Sequence, residues 1–269
     1  PDRVRALVLD GATNPTLDVK AATEAQARGF QSAFEAFAAA CVAQNPCAAG
    51  PDPAATFQQV LDAARVQPLP VSGAGDRTLP VGLVFTGVLS SLYDAARWPL
   101  LASALGAAVD GEGTGLASLA DGYTSRRPDG SYPNEVEANL AVSCADTAQT
   151  YTDEEVKTFI EQLRGRYPLF GAPVAASLLF CDRWLAPRTP LPERDAAGAA
   201  PILVVGTTND PATPYAGAQA MSRQLDSGVL LTWDGEGHTA YPKTKCISAA
   251  VDAYLIRLTV PVDDTCPSG

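Results

Sequence analysis

The sequence predicts an α/β protein built on a parallel sheet, and three observations carry that prediction. Residues 202–206, Ile-Leu-Val-Val-Gly, are a short β-branched run of the kind found in a central strand buried on both faces. A helical pattern at 214–225, a second apolar run at 229–233 and a helical pattern at 246–257 come next, and this β-α-β-α alternation fits a parallel sheet covered by helices. Near the start, Val4, Ala6 and Val8 alternate with Arg3 and Arg5 before Leu7 and Leu9 fill the run, so residues 4–9 predict another mostly buried strand.

Asp10-Gly11 then ends that strand in a turn, and Asp18 is placed to cap the helix after Asn14-Pro15. From Lys20 to Val42 the apolar residues Phe30, Ala33, Phe34, Phe37, Ala38 and Cys41 recur at helical spacing. Asp52-Pro53 is a cap and first-turn proline for a short helix reaching Arg65. Leu83 to Ala108 is apolar on most faces and predicts two helical pieces around Trp98-Pro99, since Pro99 lacks a backbone donor. Residues 110–135 read as loop. Their Gly-Glu-Gly-Thr-Gly follows no strand, so a flexible connection fits better than a phosphate cradle. Thr152 with Glu155 forms a capping box, Pro168 stops that helix, and residues 187–200 are a Pro- and Ala-rich linker. No internal repeat is present. Residues 1–15 and 196–269 thus compose the sheet-bearing core, and residues 16–195 a large helical insertion that reads as a lid or cap.

Hydrophobic content of 46% and charged content of 18% in 269 residues describe a folded chain with ample length for a core. A formal charge of −11 repels phosphate and argues against nucleic acid and anionic membranes. No apolar run approaches the roughly 18 residues needed to span a bilayer. The six cysteines show no metal-ligand spacing and only one His accompanies them, so neither a metal site nor a cofactor is expected. An even cysteine count predicts three disulfides and a secreted or cell-envelope location. Sequence order suggests Cys41–Cys47, Cys144–Cys181 and Cys246–Cys266, with other pairings open.

In open α/β sheets, functional groups collect beyond the carboxyl ends of the strands. Asp210 lies four residues past Gly206 and His238 five past Trp233, so both point into that crevice from successive strands. Alone, Asp210 in an Asn-Asp-Pro turn reads as a turn former, and a single loop His says little. Together they match the acid and base of a Ser-His-Asp hydrolase, in which the carboxylate holds one imidazole N–H and stabilises the imidazolium. Thr213 is placed to support the Asp210 turn through its hydroxyl.

The segments around Thr-Thr-Asn-Asp-Pro-Ala-Thr-Pro-Tyr (207–215) and Gly-Val-Leu-Leu-Thr-Trp-Asp-Gly-Glu-Gly-His-Thr-Ala-Tyr (228–241) resemble the C-terminal region of secreted bacterial tripeptidyl aminopeptidases of the α/β-hydrolase fold, relatives of prolyl aminopeptidases. The opening residues 1–18 look like the strand after the nucleophile helix in those enzymes, and the helical middle resembles their lid. The resemblance implies Asp210 as acid, His238 as base and a peptide substrate with a free N-terminus. Those enzymes place their Ser in a Gly-x-Ser-x-Gly elbow ahead of the acid and the His. No such elbow occurs here, and Ser72, Ser90, Ser91 and Ser118 all lack it. The chain is therefore expected to be the C-terminal part of a longer hydrolase, whose N-terminal half is a missing segment or a second chain. To meet a substrate ammonium group, Glu135, Glu137 and Asp146 are available, with Asp146 favoured for its closeness to Cys144. The expected function is a serine exopeptidase. An esterase or lipase-like hydrolase on the same fold, and a non-catalytic binding protein lacking the Ser, are the competing readings.

Overall fold

The computed structural model describes residues 3–181, 184–190 and 195–268. Pro1 and Asp2, which open the chain, and residues 191–194 of the expected linker lie outside the described residues. In chain order the elements are β1 (Val8–Asp10), α1 (Val19–Ala43), α2 (Pro53–Val66), β2 (Leu69–Pro70), β3 (Thr78–Leu79), α3 (Val81–Ser91), α4 (Trp98–Val109), α5 (Thr114–Thr124), α6 (Glu135–Asp146), α7 (Asp153–Arg166), α8 (Gly171–Ala176), β4 (Ile202–Asn209), α9 (Tyr215–Gln224), β5 (Gly228–Glu236), α10 (Lys245–Arg257) and β6 (Thr265–Cys266). The chain divides into two compact units, residues 1–33 with 145–269, and residues 34–144.

The first unit holds a four-stranded sheet in the order β1-β4-β5-β6, with every neighbouring pair parallel. Side chains alternate across β4 because successive residues of a strand face opposite sides. Leu203 and Val205 pack with Leu231 and Trp233 of β5 against Ile247, Val251 and Tyr254 of α10. Ile202 and Val204 pack on the other face with Ala218 of α9 and the half-buried Leu9, Met221 and Leu230. Burial on both faces is what the unbroken run Ile-Leu-Val-Val requires, at about 1.5–3 kcal/mol for each large apolar side chain.

The first strand is shorter than its apolar pattern predicts. It spans Val8–Asp10 rather than residues 4–9, pairing Val8 with Leu203 and Asp10 with Val205. Pro201, just before β4, has no N–H to extend the ladder. The Leu7 carbonyl still accepts from Leu203 N–H of β4 at 3.0 Å, but Leu7 N–H donates to the Tyr254 hydroxyl at 3.2 Å, and the Arg5 side chain donates to the carbonyls of Leu255 and Ile256. Tyr254 in turn donates to the Pro201 carbonyl.

In the second unit the aromatic rings carry the core. Phe34 lies 5.4 Å from both Phe37 and Phe57 by ring centroid, and Phe37 lies 6.1 Å from Trp98. Asp52 caps α2 by accepting from Ala55 N–H at 3.0 Å, with Pro53 in the first turn as expected. The helical stretch 83–108 does break, but at residues 92–97. Pro99 sits in the first turn of α4 and starts it, where its missing N–H costs nothing. Residues 110–135 are not all loop. Leu116, Ala117 and Ala120 are buried on α5, and the flanking glycines had masked that helical spacing. Glu112, just ahead of α5, accepts from the N–H of its first residue Thr114 at 2.9 Å, and bonds from Ser72 and then Thr114 lower its carboxyl to about 2.

Thr152 forms the expected capping box of α7: Thr152 Oγ1 accepts from Glu155 N–H at 3.3 Å, and Glu155 accepts from Thr152 N–H at 2.8 Å. Disulfides join Cys41 to Cys47 and Cys246 to Cys266, as sequence order suggests. Cys144 and Cys181 are also disulfide-bonded, and among the described residues no cysteine is free. Among the described residues no helix is long and apolar enough to cross a membrane.

Candidate active site

Two strand ends and one helix build the site, all within the first unit. β4 ends at Asn209, and the next residue, Asp210, turns its carboxylate inward under the start of α9, where its side chain is wholly buried. A buried carboxylate must be fully hydrogen-bonded to be tolerated, and this one is. Oδ1 accepts from Ala212 N–H at 2.9 Å and Thr213 N–H at 2.8 Å, while Oδ2 accepts from Thr213 Oγ1 at 3.1 Å and Thr239 N–H at 3.3 Å. The Asn-Asp-Pro turn is therefore both a turn and a carboxylate cradle.

His238 comes after β5. Its Nδ1 lies 3.1 Å from Asp210 Oδ1 and 3.0 Å from Oδ2, the imidazole being 27% exposed. An ionised carboxylate accepts only, so Nδ1 carries the proton and Nε2 the lone pair that accepts a proton from a nucleophile. Thr213, expected to support the Asp210 turn, touches both residues: its Oγ1 is also 3.2 Å from His238 Nδ1. The structure thus brings Asp210 and Thr213, of the turn between β4 and α9, together with His238 beyond β5.

The route from β5 to His238 differs from the sequence expectation. The strand runs on to Glu236 instead of ending at Trp233. Thr207 pairs with Trp233 but Asn209 pairs with Glu236, so β5 carries one extra residue there. That bulge is held by Thr208, whose Oγ1 donates to Asp234 Oδ1 at 3.1 Å and accepts from Gly235 N–H at 3.1 Å. Only glycine fits at 235, because a Cβ would sit 2.2 Å from the Trp233 ring. A bulge bends its strand and re-aims the residues beyond it, and here it sets the direction of the His238 loop. An isolated Gly inside an apolar strand pattern is the signal for such a bulge.

Glu236, within this bulged end, was not singled out by the sequence. It accepts from Asn209 Nδ2, and Asn209 Oδ1 accepts from Ser32 of α1 at 3.0 Å. Burial pushes its carboxyl above the ordinary range and the nearby Asp234 adds to that, opposed by the Asn209 bond. Further support for the Asp210 turn comes from α1, where Gln26 Nε2 donates to the Ala212 carbonyl at 3.2 Å. Lys243 Nζ donates to the His238 carbonyl at 2.8 Å.

The three acids available to meet a substrate lie on α6, Glu135 being exposed at its first residue. Glu137 is exposed in its first turn and Asp146 is half-buried at its last residue. Among the described residues no group of three or more His, Cys, Asp or Glu is arranged to hold a metal ion.

Residues 167–267, all within the first unit, match the family described as TAP-like protein (Abhydrolase_4). The chain is 36% identical over 286 residues to the serine protease Hip1 of Mycobacterium tuberculosis, covering 100% of this chain and 53% of that protein. It is 36% identical over 272 residues to a carboxylesterase B of the same species, covering 96% of this chain and 51% of that protein. It is 26% identical over 272 residues to the tripeptidyl aminopeptidase of Streptomyces lividans, covering 95% of this chain and 48% of that protein. The chain spans about half the length of the curated relatives it matches.

Proposed function

We propose, for a chain whose residues 167–267 belong to the TAP-like family of α/β-hydrolases, that Asp210 and His238 are the acid and base of a serine hydrolase. The observation that carries this reading is the wholly buried Asp210 carboxylate facing His238 Nδ1 at 3.0 Å. These 269 residues hold no Gly-x-Ser-x-Gly elbow, so the reading takes the nucleophile from a part of the protein outside them. The serine Oγ attacks the scissile carbonyl as its proton passes to His238 Nε2. Asp210 stabilises the imidazolium, whose Nε2–H then protonates the leaving amine. Water repeats the sequence on the acyl-enzyme, with His238 again as base, and frees the serine.

The finer reading is an exopeptidase acting on free N-termini in an extracytoplasmic compartment. Its supports are the tripeptidyl aminopeptidase relative and the disulfides, which persist in oxidising surroundings. In this reading the helical segment between β1 and β4 serves as lid, and Asp146 or Glu137 meets the substrate ammonium. The relative named carboxylesterase favours a second reading, ester hydrolysis by the same pair.

The intact protein carrying this chain decides between them. It is assayed on a tripeptide p-nitroanilide with a free amine, on the N-acetylated form, and on a short p-nitrophenyl ester. The exopeptidase reading expects preference for the free amine over its acetylated form. Preference for the ester leaves the hydrolase and removes the exopeptidase. No turnover of any of the three, with no serine labelled by a fluorophosphonate, contradicts catalysis altogether.

A further inference from the structure

We propose that Asp10 is a positioning residue for His238, locking the backbone just beyond the imidazole to the end of β1. The inference rests on the reading of His238 as the base. Asp10 is the last residue of β1, and the next N–H, that of Gly11, donates to the Val205 carbonyl of β4 at 3.1 Å. This end of the strand is therefore anchored to the centre of the sheet. From it the Asp10 carboxylate reaches the His238 loop: Oδ1 accepts from Ala240 N–H at 3.0 Å, and Oδ2 accepts from Ala240 N–H at 3.1 Å and Tyr241 N–H at 2.9 Å.

Three consecutive backbone donors after His238 are thus taken by two carboxylates. Thr239 N–H goes to Asp210 at 3.3 Å, and Ala240 and Tyr241 go to Asp10. Ala240 is fully buried, so without Asp10 its N–H loses the acceptor that burial demands, while that of the exposed Tyr241 turns to solvent. The backbone at this point also needs holding. Thr239 has φ +59°, a conformation that costs a β-branched residue energy and persists only where its surroundings impose it. Next to Asp10, Gly11 has φ +74°, and a Cβ there would lie 3.0 Å from His238 Cε1 and 3.1 Å from Thr213 Oγ1. The end of β1 thus passes directly against the ring while its carboxylate holds the two residues after Thr239. Hydrogen bonds to an ionised acceptor are the stronger kind, and a displacement of about 1 Å in a catalytic group can cost on the order of 100-fold in rate.

The test uses the intact protein with Asp10→Ala and Asp10→Asn, and His238→Ala as a separate control on the base. Folded fraction is measured by urea denaturation, and kcat and KM on whichever substrate the wild type turns over. Asp10→Ala is expected to lower kcat about 10- to 100-fold with KM within about twofold of wild type. Asp10→Asn, which keeps one acceptor oxygen in place, is expected to fall between. If Asp10→Ala does not fold, Asp10→Asn carries the test, with a fall in kcat at unchanged KM expected. The proposal is overturned by kcat within about twofold of wild type, by a loss that tracks the unfolded fraction, or by a rise in KM in place of the fall in kcat. A His238→Ala protein that keeps wild-type turnover removes the base assignment itself, a result separate from the behaviour of Asp10.

Discussion

The hydroxyl of Thr213 lies 3.2 Å from Nδ1 of His238, the same nitrogen that faces Asp210. One side chain therefore bridges the two members of the pair, and its own backbone N–H is spent on Asp210 as well, at 2.8 Å. Thr213→Ala removes the hydroxyl but keeps that backbone bond. Turnover is expected to fall about tenfold, equivalent to about 1.4 kcal/mol of transition-state stabilisation. Thr213→Ser should recover most of it. Equal rates for the Ala and Ser variants would show that the hydroxyl plays no part.

Gly29 of α1 touches the other side of the Asp210 turn. A Cβ at 29 would lie 2.6 Å from the Pro211 carbonyl oxygen and 3.1 Å from that of Asp210. Replacing a helical Gly by Ala normally stabilises by about 0.5–1 kcal/mol. At Gly29 the sign reverses, and Gly29→Ala is expected to destabilise by about 1–3 kcal/mol through overpacking. Gly165, with nothing within 4 Å of its Cβ position, is the control and should show the ordinary gain in urea denaturation. Equal effects at the two sites would contradict the close approach of α1 to the turn.

Cys246–Cys266 closes a loop of sequence separation 20 and ties β6 to the start of α10. β6 is only two residues long and pairs with Thr232 and Trp233 of β5. Replacing both cysteines by Ser is expected to destabilise the protein by about 3 kcal/mol. The measurement is the urea midpoint of the double variant against wild type under oxidising conditions. An unchanged midpoint would show that the short strand holds by itself.

Glu236 gives a pH dependence. Burial raises its carboxyl above the ordinary value, so folding disfavours its ionised form. The protonated group's advantage is fully present below the unfolded pKa and is lost as pH rises through the raised folded pKa. Glu236→Gln keeps an acceptor for Asn209 but cannot ionise. Its stability should match wild type in acid and exceed it once the wild-type carboxyl has ionised. Urea curves from pH 4 to 8 for both proteins measure this. A variant less stable than wild type at neutral pH would contradict it.

Much of the sheet and both members of the pair were legible in sequence because their signals are local. The run at 202–206 needs burial on two faces, the caps Asp52 and Thr152 sit at fixed offsets from their helices, and Asp210 and His238 come just after strand ends. The features that were not legible depend on partners distant in the chain. β1 begins only at Val8 because Pro201, nearly 200 residues on, offers no N–H. The bulge at Asp234-Gly235 exists because Thr208 of the neighbouring strand holds it. Asp10 reads as an ordinary turn residue until Ala240 and Tyr241 arrive beside it. α5 was hidden for a different reason: its glycines match the composition of a loop, while the burial of Leu116 and Ala120 appears only on packing.

The central claim, that His238 is the base held by Asp210, is tested most directly by His238→Ala in the intact protein. The measurement is kcat/KM on the wild-type enzyme's best substrate, alongside the rate of serine labelling by a fluorophosphonate. The account predicts a loss on the order of 10³- to 10⁶-fold in turnover and a collapse of the labelling rate, with folding retained. Turnover and labelling at wild-type rates in the folded variant would contradict it.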